Sequence, residues 1–176
     1  MSVIIYKILL NTTNVLDTIK KIREFMFEDL EKTIDLVDSF RGAPNFMLAL
    51  VLCAYTEFWG KLICPGKDDK QCFDTFFCQL GAEYNEVMNH PNTNIYGRIR
   101  CGLIHEYLIK GNAEILIEGG ECGIKYDVKT KKYTINIRRY FQDFRVAVDL
   151  YIVELENNSR ILSNAKKAMD GGIQLR

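Results

Sequence analysis

Arg100, His105 and Tyr107 stand at the spacing Arg-x4-His-x-Tyr in the run Arg100-Cys101-Gly102-Leu103-Ile104-His105-Glu106-Tyr107. An arginine stays charged at any physiological pH and presents a planar fork of donors suited to phosphate oxygens. A histidine gives or takes a proton near neutrality. Only two histidines occur in the chain, and one of them is here. Together these residues are the minimum parts for acid–base chemistry on a phosphodiester.

Each of them also has a plain structural reading. A lone histidine in a helical pattern is commonly a core residue whose ring nitrogens are satisfied by backbone groups. Arg100 is within reach of a salt bridge to Glu57, Glu83 or Glu106, and Tyr107 reads as a half-buried aromatic with its hydroxyl at the surface. Glu57 interrupts an otherwise apolar stretch and needs a partner, because an unpaired buried charge is costly. Arg100 or His105 would supply it. The second histidine, His90, precedes Pro91 in a polar loop and reads as a surface residue.

Helices must carry these residues. From Asn14, Val15, Ile19, Ile22, Met26, Leu30, Val37 and Phe40 recur at steps of three and four with charged residues between them, predicting a long amphipathic helix. Gly42 and Pro44 close it. Phe46 to Ile63 is apolar nearly all round, which marks a central helix. A third helix carries Phe73, Phe76, Phe77, Leu80, Tyr84, Val87 and Met88 as core, and Asn89 to Asn94 breaks it. A fourth runs from about Ile95 to Lys110 and holds the motif. Ala113 to Glu118, Gly123 to Val128 and Tyr133 to Arg138 are strand-like runs, read as a small antiparallel meander. A last helix starts near Arg139 and reaches about Met169, with a weak point at Asn157-Asn158. Ser2 to Leu10 reads as a strand or as the start of the first helix. The expected architecture is mainly α: one domain over 1–176, four to five helices, with a β insertion at about 113–138 before the last helix.

On a regular helix each residue turns about 100°, so Arg98 and His105 share a face while Arg100 and His105 are about 140° apart. Cooperation of Arg100 with His105 therefore needs a distortion near Gly102, the reach of a long side chain, or a second subunit. Arg98 is the fallback phosphate ligand.

Formal net charge is zero over 176 residues, which argues against a strongly basic nucleic-acid binder but leaves room for a local basic cleft. The one basic cluster is Lys125, Lys129, Lys131, Lys132, Arg138 and Arg139, a candidate landing site for RNA. Six cysteines occur, with no Cys-x-x-Cys pair and no zinc-like spacing to histidine. Neither a metal site nor a disulfide framework is expected, and the thiols read as reduced in a cytoplasm. Met1 to Leu10 lacks the marks of a secretion signal. The run Phe46 to Tyr55 is too short to span a bilayer, so no membrane partner is expected. The chain has no P-loop, no dinucleotide-binding glycine fingerprint, no Gly-x-Ser-x-Gly elbow and no zinc-deaminase signature. No cofactor is expected.

The motif Arg100-CGLI-His105-Glu-Tyr107, on a late helix of a small bundle, resembles the HEPN superfamily (higher eukaryotes and prokaryotes nucleotide-binding domain), which is marked by Arg-x4-6-His. The form with tyrosine two residues after the histidine is similar to the helical toxins paired with a minimal nucleotidyltransferase antitoxin. The likeness covers roughly residues 14 to 168, less the strands. It implies a metal-independent RNA endonuclease acting as a homodimer. His105 would be the acid or base, Arg100 would hold the scissile phosphate, and the RNA 2′-hydroxyl would attack that phosphate to leave a cyclic end. Tyr107 would hydrogen-bond phosphate or be the target of nucleotidylation by an antitoxin partner. Glu57 and Arg98 would support the site. Cys101 stands where the family often has a polar residue. The resemblance also implies a second reading, since some HEPN domains are non-catalytic interaction or scaffold modules.

Overall fold

A computed structural model describes residues 14–39, 45–91, 93–106, 112–117 and 120–171. The expected strand at Ser2 to Leu10 and the closing pair Gly42 and Pro44 lie outside the described residues, as does Tyr107. Helix α1 spans Val15–Ser39, and the Asn14 side chain caps it by accepting a hydrogen bond from the Leu16 N–H at 3.0 Å. Helix α2, Asn45–Ile63, is the central element: Leu48, Leu52, Trp59 and Leu62 are buried. It packs against α1 and four later helices. Its 19 residues are long and apolar enough to cross a membrane, but more than half of that stretch is buried within the protein. Burial on all sides explains the weak amphipathic pattern of α2.

The expected third helix is two. Helix α3 covers Asp69–Phe77, a 3₁₀ turn covers Cys78–Leu80, and α4 covers Ala82–Asn89. Gly81, at φ +153°, breaks the run, because a side chain is strained there. The aromatic stripe is core as read: Phe73, Phe76, Phe77 and Tyr84 are all buried. The last helix is also two, α6 over Ile137–Asn157 and α7 over Ser159–Asp170. Asn158 separates them in an extended conformation, and its side chain accepts from the Arg160 and Ile161 N–H groups. The weak point read at Asn157-Asn158 is thus a true break. With helix α5 over Cys101–Glu106, seven α-helices stand among the described residues where four to five were expected. Apolar spacing continues across both breaks, so periodicity alone does not reveal them.

The strands lie where expected: β1 at Ala113–Leu116, β2 at Ile124–Asp127 and β3 at Lys132–Asn136. Their arrangement is not an antiparallel meander. The order is β1-β3-β2, with β1 parallel to β3 (Ala113 opposite Tyr133, Ile115 opposite Ile135). Only β2 and β3 are antiparallel, with Tyr126 opposite Tyr133. Alternation assigns faces to strands but not neighbours. The central position goes to the strand with the most to bury, β3, whose Tyr133 and Ile135 are sealed. The turn before β3 is tied by the Asp127 carboxylate, which accepts from the Lys129 and Thr130 N–H groups at 2.8 and 3.1 Å. Asn136 ends β3 and caps α6 by accepting from the Arg139 N–H at 3.1 Å.

Candidate active site

The motif helix begins irregularly. Tyr96–Arg100 forms a π-helical turn, and the Cys101 N–H bonds back to the Tyr96 carbonyl, five residues earlier. Such turns insert extra backbone into a helix and favour functional sites. Asn94 anchors its start: its side-chain oxygen accepts from the Gly97 N–H and its carbonyl from the Arg98 N–H, both at 2.9 Å. Gly97 permits this, since a Cβ there would come within 2.5 Å of the Asn94 side chain. The helix is regular over Cys101–Glu106, so the distortion expected at Gly102 lies one turn earlier. Arg100 closes the π turn and His105 stands on the regular helix that follows, where 100° per residue would set the two about 140° apart. His105 belongs to α5, while its side chain, like Tyr107, lies outside the described residues.

Arg100 meets Glu57 of α2, the partner anticipated from sequence. The Arg100 Nη2 donates to Glu57 Oε2 at 2.7 Å, with the two side chains 11% and 8% exposed. Lys61, one turn on from Glu57, donates to the other carboxylate oxygen at 2.8 Å and reaches Asp69 at 3.0 Å. The Tyr96 ring lies under the Arg100 guanidinium, 5.1 Å from centroid to Cζ, and its hydroxyl sits 3.5 Å from Glu57 Oε2. Two cations thus share Glu57 with an aromatic face beside them. Burial works against the Arg100 charge, but the Glu57 carboxylate together with Tyr96 and Cys101 outweighs it and raises the pKa above its ordinary value. Burial and then the Glu57 charge push the Tyr96 hydroxyl upward, so it stays protonated. The Arg100 Nε is buried with no acceptor among the described residues.

Arg98 goes elsewhere. Its guanidinium lies over the Tyr133 ring of β3, 5.4 Å from the centroid. The seven-residue register that placed it on the face of His105 assumes a regular helix, and Arg98 sits inside the π turn. The structure sets it against the sheet.

Comparison with protein-family models, with curated proteins and with solved structures found no match for this chain.

Sequence reasoning missed Lys61, Asp69 and Tyr96. The available signal for Lys61 was its spacing of four from Glu57 on an otherwise apolar helix. His90 is half-buried, with its ring 4.3 Å from that of Tyr126. It borders a groove of about 560 Å³ between α4 and β2, also lined by Glu83, Glu86, Glu121 and Lys125. That groove contains neither Arg100 nor Lys61. The basic cluster is partly neutralised, with Lys132 on Glu114 at 2.5 Å and Arg139 on Asp143 at 2.9 Å.

Proposed function

We propose that this chain is a HEPN-like, metal-independent RNA endonuclease that acts as a homodimer. The observation that carries the reading is the fixed guanidinium of Arg100. Glu57 takes one end of it at 2.7 Å, and the Tyr96 ring lies against it. A guanidinium held in place before substrate arrives is preorganised for charge developing on phosphate oxygens. Lys61 on the same carboxylate adds a second cation to that field. His105, five residues on along the same helix, supplies the proton transfer that neutral-pH cleavage needs.

In this mechanism His105 takes the proton of the RNA 2′-hydroxyl. The 2′-oxygen forms a bond to phosphorus, and the bond to the 5′-oxygen breaks. His105 of the partner subunit gives its proton to that leaving oxygen. The products are a 2′,3′-cyclic phosphate and a 5′-hydroxyl. A wide helical separation between Arg100 and His105 favours a composite site in which each subunit completes the other. A nucleotidyltransferase-type partner acting on Tyr107 belongs to the same reading.

The test is incubation of purified protein with mixed-sequence single-stranded RNA in excess chelator, with end groups identified by mass spectrometry. Cyclic phosphate ends are expected from the wild type. Folded His105→Ala and Arg100→Lys should lose cleavage by at least about 100-fold, the scale of one acid–base or oxyanion group. Intact RNA with the wild type, or equal cleavage by both variants, would sink the proposal.

One observation favours a second reading, a non-catalytic HEPN-like interaction module. Arg100 is only 11% exposed and already ion-paired, as a purely structural arginine would be. Under that reading Arg100→Lys destabilises the fold and no RNA is cut at any protein concentration.

A further inference from the structure

The corner where α2 turns into α3 brings two thiols together. Cys64 follows the last residue of α2 and Cys72 lies in the first turn of α3. Their sulfurs are 3.5 Å apart. The approach is set by backbone and not by chance side-chain placement: a Cβ on Gly60 would fall 1.9 Å from the Cys72 carbonyl oxygen, so only glycine lets the two helices meet this closely. The loop between them is fixed by the Lys67 N–H on the Cys64 carbonyl at 3.2 Å and the Cys72 N–H on the Asp68 carbonyl at 3.0 Å. The Cys64 thiol also donates to the Gly60 carbonyl at 3.0 Å. Cys64 is half-buried, whereas Cys72 is 1% exposed.

We propose that Cys64 and Cys72 form a reversible oxidation site that closes to an intrachain disulfide when the protein meets a hydroperoxide. A disulfide needs the sulfurs at about 2.05 Å, a closure of roughly 1.5 Å from the observed separation, within reach of side-chain rotation. The accessible Cys64 is the attacking group. Its sulfur takes one oxygen of the hydroperoxide, the O–O bond breaks, and the leaving oxygen departs as water or alcohol with the thiol proton. The resulting sulfenic acid is then displaced by the Cys72 sulfur, forming the S–S bond and releasing a second water. Two thiols are oxidised and one peroxide is reduced. Burial, and then the neighbouring Cys64, push the Cys72 thiol up to about 12, so Cys72 keeps its proton and the more accessible Cys64 meets the peroxide first; the 3.5 Å approach of the two sulfurs then brings Cys72 onto the oxidised Cys64. The bridge would tie together the helix ends that carry Lys61 and Asp69, both of which hold the Glu57 cluster.

The experiment uses the full chain, reduced, desalted and treated with equimolar hydrogen peroxide, then denatured and alkylated. Of six cysteines, four are expected to take the alkylating agent and two to be protected. Non-reducing tryptic digestion should join the peptide 62–67 to the peptide 71–98, with fragment ions placing the bridge on Cys72 and not on Cys78. Dithiothreitol should restore six alkylatable thiols. Six alkylated thiols after peroxide, or a bridge to any other cysteine or between chains, overturns the proposal. The wild-type readout stands without variants, and Cys64→Ser should abolish the cross-link.

Discussion

Glu57 carries the charge balance of the candidate site. Its carboxylate is 8% exposed and faces both Arg100 and Lys61. Removing one partner of a buried pair leaves the other charge uncompensated, which costs about 3–5 kcal/mol. Glu57→Gln keeps the shape and removes the charge, so a loss of that size is expected in urea denaturation. Adding Arg100→Met should cost much less than the sum of the two single changes, because both delete one interaction. A loss under about 1 kcal/mol for Glu57→Gln, or strict additivity, would mean that the pair contributes little. The need for a partner at Glu57 was legible in the sequence, because an acid on a wholly apolar helix demands one. The role of Lys61 was not, because its spacing from Glu57 fits a surface pair equally well. Nor was the contact of Arg98 with Tyr133, because the arithmetic of faces assumes 100° per residue and Arg98 sits inside a π turn.

At the scale of elements, α2 and α3 meet closely at Gly60. Gly60→Ala would put a methyl group 1.9 Å from the Cys72 carbonyl oxygen, and backbone cannot yield as a flexible side chain does. Overpacking of this kind costs typically about 1–3 kcal/mol, against a helix-propensity gain of at most about 1 kcal/mol from replacing glycine. Net destabilisation is expected, measured as a lower denaturation midpoint. A stabilised Gly60→Ala protein would show that the helices can part freely, and would also weaken the case for the Cys64–Cys72 pair. Helix existence and strand positions were legible from periodicity. The breaks at Gly81 and Asn158 were only half legible, and the strand order was not. Which strand takes the centre depends on what packs over the sheet, and Tyr133 and Ile135 are buried beneath the helices.

For the whole molecule, one core joins the aromatic side chains of α2, α3, α4 and α6. Trp59 stacks on Phe76 at 6.3 Å, Phe77 meets Tyr140 edge-on at 5.9 Å, and Thr56 hydrogen-bonds the Tyr140 hydroxyl at 2.7 Å. Burial pushes the Cys53 thiol in this core up to about 12, and drives the Tyr140 hydroxyl well above its ordinary value. Both groups keep their protons longer in the folded chain than in the unfolded one. Their contribution is therefore complete below the unfolded values, about 8.5 for cysteine and 10 for tyrosine, and is lost as pH rises toward the folded ones. Unfolding free energy should fall steadily from about pH 9 toward 12, measured by urea denaturation at a series of pH values. A flat profile through that window would contradict the burial of these groups. The amino-acid sequence by itself determined a mainly helical chain, a central apolar helix, a three-stranded insertion and the acid that needed a partner, because spacing and burial preference are local properties. The tertiary structure alone decided that the partner is Arg100, that Lys61 shares it, and that Cys64 and Cys72 face one another. Those contacts join separate helices, and only the packing of α2 against its neighbours fixes which faces meet.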